Sequence, residues 1–112
     1  MSAEIKDQIR QLEKEISSLM PLDAFLQIHE RQAGLRKAEE ERLKMLADLQ
    51  KSYISASTDQ QREQVKELVG KIRELSKAAR EEIRSLNREL QSHMPVEQGR
   101  ELYQRLVQLK SV

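Results

Sequence analysis

The sequence predicts an all-α protein: a long antiparallel helical hairpin with a short helix at each end, four helices in one domain. Three observations predict it. Of the 112 residues, 35% are Asp, Glu, Lys or Arg and only 3% are aromatic, a composition expected of long helices or coiled coils. Apolar residues recur at steps of three and four along most of the chain. The two prolines, Pro21 and Pro95, fall where periodic stretches begin, and proline is tolerated in a first helical turn but not inside a helix.

The first helix, over about residues 3–19, places Ile5, Ile9, Leu12, Ile16 and Leu19 on one narrow seam. Pro21 restricts Met20 before it and starts a second helix, 21–53, with Phe25, Ile28, Leu35, Met45 or Leu46, Leu49 and Tyr53 facing inward. Gly34 and the run Glu39-Glu40-Glu41-Arg42 interrupt this stripe, which predicts a bend or an exposed stretch. The turn Ser55 to Asp59 leads into a third helix, 59–94, opened by a capping box of Thr58 and Gln61. Its predicted stripe is Val65, Leu68, Ile72, Leu75, Ala79, Ile83, Leu86, Leu90 and Met94, close to the 3.6 period of an unstrained helix. Pro95 opens a last helix, 95–110, with Leu102, Tyr103, Leu106, Val107 and Leu109 on one face. So thin an arrangement is expected to pair as a homodimer to bury its remaining apolar stripe.

The chain offers little to catalysis. It has no cysteine, no Gly-rich phosphate loop and no nucleophile elbow. Its carboxylates follow helix faces rather than a pocket that would shift their pKa, so no enzyme is expected. His29 and His93 stand on different helices without neighbouring ligands, and neither a metal nor another cofactor is expected. A net charge of +1 makes no global field for nucleic acid. No apolar run reaches the roughly 20 residues of a membrane span. Met1-Ser2-Ala3-Glu4-Ile5-Lys6 lacks the apolar core of a signal peptide.

A short repeat marks the two breaks: Ser18-Leu19-Met20-Pro21-Leu22-Asp23 and Ser92-His93-Met94-Pro95-Val96-Glu97. In each, an acid in the first turn opposes the positive end of the helix dipole. The arrangement resembles the Spy/CpxP-type family of periplasmic helical-hairpin proteins, which carry two copies of a Leu-Thr-x-x-Gln signature at such helix starts. Met94, Pro95, Glu97 and Gln98 resemble the second copy as it stands in the heavy-metal-sensor branch, and Met20 with Pro21 the first. Proline stands here in place of the signature threonine, and Ala24 in place of the first glutamine. The resemblance implies a helical hairpin acting in the periplasm as a stress chaperone or sensor domain. It carries no metal ligands over, since the histidine pairs of the sensing members have no counterpart in this chain.

Charge on the third helix is segregated. At about 100° per residue, Arg73, Lys77, Arg80, Arg84 and Arg88 flank one side of the apolar stripe, and Glu67, Glu74, Glu82 and Glu89 favour the other. The basic flank is either a contact surface for protein clients or one half of salt bridges to a neighbouring helix. The alternative to a chaperone is a cytoplasmic coiled-coil adaptor that docks one defined partner through the seam from Ile5 to Leu19 and the third-helix stripe.

Overall fold

The computed structural model describes residues 2–112. It is all-α among them, with four helices and no strand: α1 (Ala3–Ser17), α2 (Leu22–Ser55), α3 (Asp59–Gln91) and α4 (Val96–Lys110). The boundaries at the two prolines move inward from the sequence expectation. α1 stops at Ser17 and α3 at Gln91, because a tight turn precedes each proline. α2 runs two residues past Tyr53 to Ser55. It also continues through Gly34 and Glu39 to Arg42 as one helix, with Gly34, Glu40 and Glu41 exposed as expected and Glu39 and Arg42 half-buried.

The chain divides into two compact units, Met1–Gln32 with Ser85–Val112, and Ala33–Arg84. In the first unit α1 packs on α4, and the start of α2 and the end of α3 complete a four-helix cluster. Its core is Leu12, Ile16, Met20, Phe25, Ile28, Leu90, Met94, Leu102 and Leu106. Ile16, Phe25, Leu90 and Leu106 are fully enclosed, and each contributes about 1.5–3 kcal/mol relative to an exposed side chain. Val107, expected on the inner face of α4, is exposed instead.

The sequence repeat is also a structural one. Leu19 and Met20 N–H both donate to the Ile16 carbonyl, at 2.9 and 3.0 Å, and His93 and Met94 N–H donate to Leu90 at the same two distances. The Ser18 hydroxyl donates to the Glu15 carbonyl at 2.6 Å, and the Ser92 hydroxyl to Glu89 at 2.7 Å. Both methionines are buried. Counting onward from each proline, Phe25 corresponds to Gly99 and His29 to Tyr103. His29 and Tyr103 stack on one another, with ring centroids 4.8 Å apart and planes 11° from parallel. Gly99 is small because a Cβ there would stand 2.8 Å from Leu90 Cδ2 and 3.3 Å from Met94 Sδ.

The second unit is a helical hairpin, the rest of α2 against the start of α3. The capping box forms as the sequence predicts: Gln61 N–H donates to Thr58 Oγ1 at 3.1 Å, and Thr58 N–H to Gln61 Oε1 at 3.3 Å. On α3 the half-buried and buried positions include Val65, Val69, Ile72, Ser76, Ala79 and Ile83, at alternating steps of four and three. The mean step is the one predicted, but the register differs, since Val69 and Ser76 take the inward places given to Leu68 and Leu75. Those two leucines lie outside the seam. On α2 the same alternation links Leu35, Glu39, Arg42, Leu46 and Leu49, with Met45 exposed.

Candidate interaction surface

Two polar layers interrupt the seams. In the first unit Gln32 Nε2 donates to Asn87 Oδ1 at 2.6 Å. In the second, Arg42 Nε donates to Glu39 Oε2 at 3.1 Å and to Ser76 Oγ at 3.2 Å, and a terminal guanidinium nitrogen of Arg42 lies 3.0 Å from the same carboxylate oxygen. The Ser76 hydroxyl and the Arg42 guanidinium hold the Glu39 carboxyl below its ordinary range, against the opposing effect of burial; Arg80 adds a smaller push in the same direction. A polar residue at a seam position costs stability but fixes register, since slippage would strand it among apolar neighbours. This layer therefore fixes which part of α2 faces which part of α3.

Two helices cannot enclose a core of the kind the four segments of the first unit make. The consequence is exposed apolar surface on the second unit: Leu43 is 58% accessible, Met45 51%, Ile54 76%, Leu68 48% and Leu75 58%. On one side of the hairpin a groove of about 830 Å³ runs between the helices. Leu43, Ala47 and Tyr53 line it from α2, and Val69, Gly70 and Arg73 from α3. A Cβ at Gly70 would meet nothing within 4 Å, so this wall of the groove is bare backbone that another chain can approach closely. Lys66 also lines the groove and reaches Glu63 at 3.4 Å in an exposed pair, a geometry that contributes at most a few tenths of a kcal/mol.

The residues singled out from the sequence fall into three places. Arg73 is in the groove wall. Lys77, Arg80 and Arg84 are exposed on the same helix in the second unit, and at about 100° per residue they share the groove side of α3 with Arg73. Arg88, exposed as well, belongs to the first unit. The motif residues are structural in position. Met20 and Met94 are core, Pro21 and Pro95 are exposed at the helix starts, Glu97 is exposed in the first turn of α4, and Gln98 is half-buried. The α1 seam proposed for an adaptor is occupied, because Leu12 and Ile16 are buried in the core of the first unit with Ile9 and Leu19 packed against them.

Sequence reasoning missed Leu43 and Ile54, which lie outside every predicted stripe yet are among the most exposed apolar side chains. Their signal was available: each stands on the groove side of the α2 seam once the seam is drawn through Glu39 and Arg42. His29 is buried against Phe25 and Tyr103, while His93 is exposed in the turn between α3 and α4. Among the described residues no group of three or more histidines and carboxylates is placed to hold a metal ion, and no helix is long and apolar enough to cross a membrane. Comparison with family models, with curated proteins and with solved structures gives no match.

Proposed function

We propose that this chain is a non-catalytic protein-binding domain that holds segments of partner proteins on the second unit, acting in the periplasm as a stress chaperone or sensor domain of the Spy/CpxP type. The observation that carries the reading is the exposed apolar surface of the hairpin, with Leu43 and Ile54 beside a groove whose α3 wall is basic. Contiguous exposed apolar surface rimmed by polar groups marks interaction sites. Adaptable, weak contact suits a surface that mixes apolar side chains with long cationic ones, whose stems cover apolar area while their heads stay in water. The first unit acts as the clamp that keeps the ends of α2 and α3 together, leaving the hairpin free to bind.

The test is suppression of aggregation of a chemically denatured client, followed by light scattering, with and without nickel, copper or zinc. Metal-independent suppression near equimolar ratio is the expected result, and Arg80→Glu with Arg84→Glu reduces it. Absence of any effect at excess chaperone removes the reading. Suppression that depends on metal moves it to the sensor branch.

A further inference from the structure

The groove of the second unit has two walls of different chemistry. Leu43, Ala47 and Tyr53 line it from α2, Val65 and Val69 line its floor, and its charged lining residues, among those described, are Lys66 and Arg73. At about 100° per residue, the same flank of α3 continues with Lys77, Arg80 and Arg84, all exposed, and the exposed Arg36 stands on the groove side of α2. Two acids share this side: Glu63, which lies 3.4 Å from Lys66, and Glu40 at the outer edge of α2. Arg62 and Asp59, next to the turn, pair at 2.9 Å, and Lys51 and Glu81, nearer the backs of their helices, are of opposite sign. Among the described residues Arg36, Arg73, Lys77 and Arg84 make no ion pair. The groove side therefore sets a row of cations without counter-charges beside an apolar wall.

The charge and the spacing together select one kind of occupant. A second copy offering this same side would set Arg73, Lys77 and Arg80 against their own counterparts, and like charges face to face are costly. Leu43, Ala47 and Ile54 recur along α2 at steps of four and seven, and Lys66, Arg73, Lys77, Arg80 and Arg84 along α3 at steps of seven, four, three and four, the spacing of helix-on-helix packing. A helix laid along the groove meets apolar side chains on one flank and cations on the other at each pair of turns. From Lys66 to Arg84 the cationic flank rises about 27 Å, the length of roughly 18 helical residues. A nucleic-acid strand fits less well, because Tyr53 is the one aromatic ring in the lining and bases need a series of rings to stack on. We propose that the groove takes an acidic amphipathic helix of a partner protein, its apolar stripe on Leu43, Ala47 and Val69 and its carboxylates towards Arg73, Lys77, Arg80 and Arg84. The inference rests on the protein-binding reading and narrows it from partner segments in general to segments of this charge, shape and length.

The test is fluorescence anisotropy of two labelled synthetic peptides of about 18 residues, titrated with the full chain at low salt. Both carry leucine at heptad positions a and d, and the flanking e and g positions are glutamate in one peptide and lysine in the other. The glutamate peptide is expected to bind at least about tenfold more tightly than the lysine peptide, to gain helical circular dichroism as it binds, and to weaken with added salt. R73E/K77E changes two exposed positions, and circular dichroism checks that it stays helical. It should lower the affinity of the glutamate peptide at least about tenfold and raise that of the lysine peptide. L43S should weaken the glutamate peptide as well, through the apolar wall. Equal binding of the two peptides, or a preference that R73E/K77E leaves unchanged, overturns the inference. A labelled oligothymidylate that binds more tightly than the glutamate peptide would mean a general polyanion surface and overturns it too. Binding of neither peptide has the same consequence; if the chain still suppresses client aggregation the protein-binding reading survives alone, and if it does not, both fall.

Discussion

The same two helices build both units, and the difference between the units lies in what covers them. In the first, α1 and α4 close over the start of α2 and the end of α3, and nine apolar side chains form one buried cluster. In the second nothing covers them, and the seam carries Glu39, Arg42 and Ser76 where the first has Phe25, Ile28 and Leu90. A covered helix pair can rely on apolar packing for stability. An uncovered pair gains little that way and relies on a polar layer to choose its register. The division matches the proposed roles, one end of the hairpin clamped and the other presenting surface.

The largest effect should come from the clamp. Phe25→Ala removes a fully enclosed ring that meets Tyr103 edge-on at 6.3 Å between centroids. The expected loss is about 3–5 kcal/mol in urea unfolding. Amide exchange should locate it: protection falls first in α1, α4 and the ends of α2 and α3 around them. An equal fall across residues 33–84 would show that the two units open as one and would break the comparison.

Next in size is the polar layer. Arg42→Ala leaves Glu39 half-buried without its guanidinium and should cost about 1–3 kcal/mol, confined to the second unit. The layer also makes a pH prediction. Because the folded Glu39 pKa lies below its ordinary value, the carboxylate contributes stability that is fully present above the unfolded pKa, about 4.3, and is lost as pH falls through the folded pKa. Glu39→Gln should remove that part of the acid dependence, so variant and wild-type stabilities converge at low pH. A constant offset between them from neutral to acid would mean that Glu39 acts through shape and not through charge.

How much of this was legible in the sequence depended on whether apolar spacing alone carried the information. The four helices, the capping box of Thr58 with Gln61 and both proline-marked elbows follow from local chemistry, which a sequence states directly. The seam of α3 did not follow. At residues 75 and 76 the chain offers Leu then Ser, and counting apolar residues selects Leu75, whereas the folded hairpin turns Ser76 inward because Glu39 and Arg42 stand opposite and need a hydroxyl. The polar run of α2 looked like an interruption for the same reason. Reading Leu35, Glu39, Arg42, Leu46 and Leu49 as one alternation of four and three would have recovered it, at the cost of placing charges in a seam. The basic flank of α3 was visible as a pattern on one helix, but its relation to Leu43 and Ile54 needed the register that the polar layer sets.

The smallest effect compares two glycines, both inside helices. Gly34 in the second unit is exposed, and a Cβ there would meet nothing within 4 Å. Gly34→Ala should therefore gain most of the roughly 1 kcal/mol by which alanine exceeds glycine in a helix. Gly99 in the first unit is buried, and its Cβ would press on Leu90 Cδ2 and Met94 Sδ, both side chains of the buried core. Crowding of that kind costs about 1–3 kcal/mol, which outweighs the same helix gain, so Gly99→Ala should come out about 1 kcal/mol less stable. Opposite signs for one substitution, read from paired thermal melts, would locate the close packing in the clamp and the slack in the hairpin. A stabilising Gly99→Ala would show that Leu90 can rotate away, and that the clamp is looser than its buried cluster implies.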